Sequence, residues 1–211
     1  ASSFDQILCW DLASMATTMM FYGSGGTASF YVMSDSSELR TAVAEGCNDD
    51  DNSYSYSYSS SFGSSTYGEI KCWDTSGVTN MSFLFSYYDR DYTAGGGYCA
   101  GDAALNFDED LSLWDVSSAT TMESMFDGAS SFTSDISSWS VGRVTDMRYT
   151  FYEASSFNYD LSAWNVGSVA NMESMFQNAY AFDQTLCWDL ANVMSTYMMF
   201  DGSNGSATAA C

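Results

Sequence analysis

Residues 157–181 read FNYDLSAWNVGSVANMESMFQNAYA, and the 25 residues before them, 132–156, read FTSDISSWSVGRVTDMRYTFYEASS. The unit at 107–131, FDEDLSLWDVSSATTMESMFDGASS, keeps the same register. Phe107, Phe132, Phe157 and Phe182 therefore recur every 25 residues, as do Trp114, Trp139 and Trp164, Met122, Met147 and Met172, and Phe126, Phe151 and Phe176. A unit this short cannot bury a core of its own, so the period predicts one turn of a solenoid whose apolar columns close only by stacking. Within a turn, residues 161–166 partly alternate as a strand does. Met172, Met175 and Phe176 have the spacing of one helical face. Phe157 anchors the turn between units. The expected fold is an α/β repeat solenoid, leucine-rich-repeat-like, with methionine and aromatics in place of much of the leucine.

Outward from this core the repeat weakens. EIKCWDTSGVTNMSFLFSYY at 69–88 matches from Trp73 to Phe85, then about 16 extra residues intervene, including AGGGYC. The last unit, FDQTLCWDLANVMSTYMMFDGS at 182–203, has lost one residue before Trp188. Upstream, Asp35 followed by Glu38, with Leu39, Ala42 and Val43 and then Gly46, predicts a short amphipathic helix. Asp35 is its N-cap, Glu38 the reciprocal capping-box partner and Gly46 its stop. A helix there caps the apolar end of the first turn. The chain thus divides into 1–34, a terminal-type repeat and linker; 35–68, capping helix and Ser/Tyr-rich loop; and 69–211, the repeat array. In the loop, Asp49, Asp50 and Asp51 lack the spacing of a calcium loop and read as solvated. Tyr54, Tyr56 and Tyr58 alternate with serine, as a strand or as a flexible loop.

Twenty-seven acids against five bases give a net charge of −22, and the bases are scattered. Nucleic acid and anionic membranes are poor partners for such a surface. No apolar run reaches the ~18 residues of a membrane span. The six cysteines, Cys9, Cys47, Cys72, Cys99, Cys187 and Cys211, form no metal or redox motif, and histidine is absent. Disulfides are expected, and with them a secreted, extracellular or cell-surface location. Two glycosylation sequons, at Asn80 and Asn204, agree. The start Ala1-Ser2-Ser3 suits a mature, processed N-terminus.

The consensus F-x-x-D-[LI]-S-x-W-x-V-x-x-V-T-x-M-x-x-M-F-x-x-A resembles the BspA-type repeat of leucine-rich-repeat surface proteins, well over 107–200 and partly over 69–88. The resemblance implies a secreted or surface-displayed solenoid used in adhesion or surface structure, with a helix before the first repeat and no catalytic residues.

Among fifteen possible pairings, the expected disulfides close the ends: Cys187 with Cys211, Cys72 with Cys99, and Cys9 with Cys47. Asp110, Asp135 and Asp160 share a column, each three residues after its phenylalanine. They could hold calcium, but Thr185 breaks the column, so backbone bonding in tight turns is the favoured reading and no cofactor is assigned. The column after tryptophan, Asp74, Asp115, Ser140, Asn165 and Asp189, reads as turn capping. Finally, FDQILCWDLASMATTMMFYG at 4–23 copies the last unit. It folds back on its own chain, docks on the open end of a neighbour, which generates filaments, or hangs as a flexible appendage. The expected function is a non-enzymatic structural subunit whose partners are copies of itself, end to end. The alternative is a monomeric adhesin or binding module for glycans or other surface proteins.

Overall fold

The structure is a computed structural model and describes residues 31–47, 63–64, 67–88, 99 and 102–209. The readings made on 1–30, on Asp49–Asp51 and on Tyr54, Tyr56 and Tyr58 lie outside the described residues.

β1 (Tyr31–Val32) is followed by α1 (Ser36–Cys47), β2 (Gly63–Ser64) and β3 (Gly68–Glu69). A 3-10 turn at Ile70–Cys72 leads into β4 (Trp73–Asp74). α2 (Asp102–Leu105), β5 (Thr185–Leu186) and β6 (Ser206–Ala207) complete the elements. β1 pairs parallel with β4, β2 antiparallel with β3, and β5 parallel with β6. Between these, single parallel bridges link Asn80 to Thr121, Thr121 to Asp146, Asp146 to Asn171 and Asn171 to Ser195. Equivalent positions of successive units therefore lie directly over one another.

Two phenylalanine columns interleave to make the core. Phe85, Phe126, Phe151, Phe176 and Phe200 stack at 5.3–5.6 Å between ring centroids. Phe107, Phe132, Phe157 and Phe182 follow at 5.7–6.2 Å. The two columns touch at 4.0 Å between Phe126 and Phe132 and at 4.3 Å between Phe151 and Phe157. Trp139, Trp164 and Trp188 stack behind them at 6.4 Å. Each indole N–H is satisfied by the preceding turn, Trp164 donating to the Ile136 carbonyl at 3.1 Å and Trp188 to Leu161 at 3.0 Å. That bond is what lets a polar aromatic occupy a buried column.

The backbone differs from the sequence expectation. Residues 161–166 form no strand; they make consecutive turns, closed by Trp164 N–H to Leu161 C=O at 2.9 Å and Val169 N–H to Val166 C=O at 3.0 Å. The segment expected to be helical carries the inter-turn ladder instead. The amides of Met172, Ser174, Phe176 and Asn178 donate to the carbonyls of Ser195, Tyr197, Met199 and Asp201, each at 2.8 Å. Those of Met147, Tyr149, Phe151 and Glu153 donate to Asn171, Glu173, Met175 and Gln177 at 2.9 Å. A left-handed residue at two fixed columns prevents a helix: Phe83, Ser124, Tyr149, Ser174 and Met198 in one, Gly128, Glu153, Asn178 and Gly202 in the other, with φ between 52° and 79°. Each such kink in a non-glycine residue costs about 1 kcal/mol, and the ladder it permits satisfies four backbone donors per unit.

α1 lies over the first turn with Leu39, Ala42 and Val43 buried. Asp35 Oδ1 accepts from the amides of Ser37 and Glu38 at 2.8 and 2.9 Å. Glu38 reaches back one residue further than expected, accepting from the Ser34 amide at 2.7 Å and the Ser34 hydroxyl at 2.6 Å. These bonds hold the Glu38 carboxyl below its ordinary pKa. Nor does Gly46 end the helix, which runs on to Cys47.

Cys47 is bonded to Cys99, with Cα atoms 5.2 Å apart. This overturns both the expected Cys9–Cys47 and Cys72–Cys99 pairs. Cys99, whose amide donates to the Leu84 carbonyl at 3.2 Å, lies beside the end of α1, so cysteines distant in sequence are neighbours across the first turn. Cys72 and Cys187 are disulfide-bonded too; Cys9 and Cys211, and with them the expected Cys187–Cys211 pair, lie outside the described residues.

Candidate functional site

The ladder has a direction, and at the C-terminal end of the stack it stops. In the last unit the positions that donate in every earlier one are Thr196, Met198, Phe200 and Gly202. Their amides make no hydrogen bond among the described residues. Side chains change environment at the same place. Met122, Met147 and Met172 are fully buried, whereas Thr196 in their column is exposed. Met194, Tyr197 and Met198 are 84%, 64% and 42% exposed.

The rest of this end is covered. Residues after Gly202 turn back across it, and the amides of Asn204, Ser206 and Thr208 donate to the carbonyls of Phe182, Gln184 and Leu186 at 2.9–3.1 Å. Phe182, Leu186 and Trp188 stay buried beneath them. Between this cover and the ladder lies an open hollow of about 350 Å³, lined by Leu190, Met198, Met199, Phe200 and Ala207 among others. Among the described residues this end is half closed, and its other half is a row of donors without partners beside apolar side chains.

The columns of acids are occupied by their own turns. Asp110, Asp135 and Asp160 accept from the amides of Ser112, Ser137 and Ser162 at 2.9–3.0 Å. Asp74, Asp115, Asn165 and Asp189 likewise accept from the residue two further on. The bonds from Ser112 and Ser162 hold the Asp110 and Asp160 carboxyls below the usual range. Among the described residues no three His, Cys, Asp or Glu side chains gather where they could hold one metal ion.

The two sequons differ. Asn80 Oδ1 accepts from the Ser82 amide at 2.9 Å and from Arg40 Nη2 at 3.1 Å, so its side chain is engaged with α1. Ser82 is buried, its hydroxyl 2.9 Å from Thr121 Oγ1. Asn204 is exposed, at the rim of the half-closed end. Along one flank four tyrosines meet: Tyr87 with Tyr88 at 4.9 Å, Tyr88 with Tyr152 at 6.4 Å, and Tyr149 with Tyr152 at 5.9 Å. Tyr88 donates to Glu153 Oε2 at 2.8 Å, and that bond pushes its phenol up to about 12.

The family described as "Mycoplasma protein of unknown function, DUF285" matches residues 53–90 and 99–209. The chain belongs to this family. The DUF285 match takes in every unit of the stack from β4 onward, the half-closed end included. It omits α1 and the copied segment at 4–23. No curated protein matches the chain, and no solved structure does. Among the described residues no helix is long and apolar enough to cross a membrane.

In the sequence the end-surface residues stand only as members of a repeat. What the sequence carried was a signal of another kind: polar Thr196 in a methionine column, Met194 where other units have alanine or threonine, and Tyr197 where they have serine, glutamate or arginine.

Proposed function

We propose that the protein is an extracellular, non-enzymatic structural subunit, a BspA-type, leucine-rich-repeat-like solenoid that assembles head to tail into a surface filament or fibre. The observation that carries this reading is the half-open C-terminal end, where four backbone donors have no partner among the described residues and the apolar Met194, Tyr197 and Met198 are exposed. Backbone donors left beside apolar surface are what edge pairing uses. A contact between unlike ends repeats without closing, and so gives an open polymer. The disulfide-bonded state of Cys47, Cys72, Cys99 and Cys187 supports an oxidising compartment. The acids bonded into their own turns support a structural part for them rather than a catalytic one.

Negative-stain electron microscopy of the non-reduced protein at high salt tests it, salt being needed to screen a net charge of −22. The expected result is filaments with an axial repeat of at least about 30 Å, the length of the six stacked turns from β1 to the last unit at ~4.8 Å each. Compact particles at every concentration would sink the proposal.

The tyrosine flank favours a second reading, a monomeric module that holds glycans or protein on Tyr87, Tyr88, Tyr149 and Tyr152. Aromatic rings with fixed polar edges suit such contacts.

A further inference from the structure

We infer that the half-open end is the receptor for residues 15–23 of a second copy, which add the next rung to its ladder. This rests on the head-to-tail reading and names the joint.

Four observations carry it. First, TTMMFYG at 17–23 restates TYMMFDG at 196–202, the sequence that forms the exposed rung itself. In the register of every earlier interface, the amides of Thr196, Met198, Phe200 and Gly202 would meet the carbonyls of Ala16, Thr18, Met20 and Tyr22. Phe21 would continue the column that ends at Phe200, half-buried where Phe176 is fully buried. Second, the cover formed by Ser206–Ala207 already occupies the place that residues 4–8 would take, leaving room for the second half of the copy only.

Third, residues 12–34 carry no charged side chain in a chain with twenty-seven acids. The segment therefore approaches an acidic neighbour without adding repulsion. Fourth, its own end lies at the limit of its reach. Tyr31 is paired beside Trp73 at the opposite end of the stack, so a docked Gly23 lies six turns away, about 29 Å at ~4.8 Å per turn. The eight steps from Gly23 to Tyr31 reach about 26–29 Å at full stretch and leave nothing for travel around the stack.

The test is a labelled synthetic peptide of residues 12–24, which contains no cysteine, titrated into the full-length, disulfide-bonded protein at high salt with anisotropy as readout. Saturable binding is expected, weakened at least tenfold by Met198→Lys or Met194→Lys in the protein, and abolished by Met20→Asp with Phe21→Asp in the peptide. Met194 and Met198 are exposed, so those variants keep the fold, checked by circular dichroism. No saturable binding, or equal binding to the wild type and both lysine variants, overturns the inference. Micrographs separate it from the wider reading. Filaments that persist unchanged in Met198→Lys and in excess peptide would overturn this joint and leave assembly standing. Peptide binding by a protein that never polymerises would leave the joint and remove the filament.

Discussion

At Ser124 two costs coincide. Its φ is 53°, in the left-handed region, and its buried hydroxyl has no hydrogen-bond partner among the described residues. Glycine adopts that backbone freely and carries no hydroxyl to orphan. Ser124→Gly is therefore expected to stabilise the protein by about 1 kcal/mol, read as a higher denaturant midpoint at unchanged slope. A lower midpoint would show that the lost Cβ packing outweighs both. Asp160 offers a different probe. Its folded pKa is lowered by the Ser162 side chain first and then by the Ser162 amide, which donates to the carboxylate at 2.9 Å. A lowered folded pKa means stabilisation that is present above the unfolded value and lost as pH falls through the folded one. Asparagine keeps the acceptor at every pH. The stability difference between wild type and Asp160→Asn, taken from thermal melts at pH 6 and pH 3, should move in favour of the variant at the lower pH. An unchanged difference would mean that the turn draws nothing from the charge.

Among the elements, burial was legible in the sequence and backbone conformation was not. Met172, Met175 and Phe176 are all fully buried, as their spacing predicts, yet they sit in a kinked ladder rather than a helix. Turns closed between residues three apart return side chains to one side much as a helix does, so periodicity alone cannot separate the two. The separating signal was weak: Ser174 and Asn178 take a conformation serine seldom adopts and asparagine tolerates. α1 was readable because capping is local, and Asp35 with Glu38 lie within one turn. The Cys47–Cys99 bond was unreadable because its partners are 52 residues apart and meet through an insertion of no periodicity. The open end was half legible. A copied unit at 4–23 is plain in the sequence, but which half of the last turn stays bare depends on the path of residues 204–208 across it.

For the whole molecule, stacking makes the long axis a line of similar interfaces, each with four ladder bonds and one more pair of phenylalanines. Pulled along that axis, such an object gives way one turn at a time. Each 25-residue turn that peels off would lengthen the chain by about 80 Å, its extended length less the ~5 Å it occupied. A single-molecule force trace should thus show evenly spaced drops from the units at 107–181. One cooperative rupture would contradict the independence of the turns. The Cys47–Cys99 bond changes this for the first turn, since the turn carrying Trp73 lies inside the 52-residue loop it closes and is withheld from the pull. Under reducing conditions that loop should appear as one further release of about 180 Å. A fibre of these subunits would behave as a fuse with graded links: it sheds tension in small equal slips, while a covalent stop inside each subunit keeps the first turn intact to rewind from.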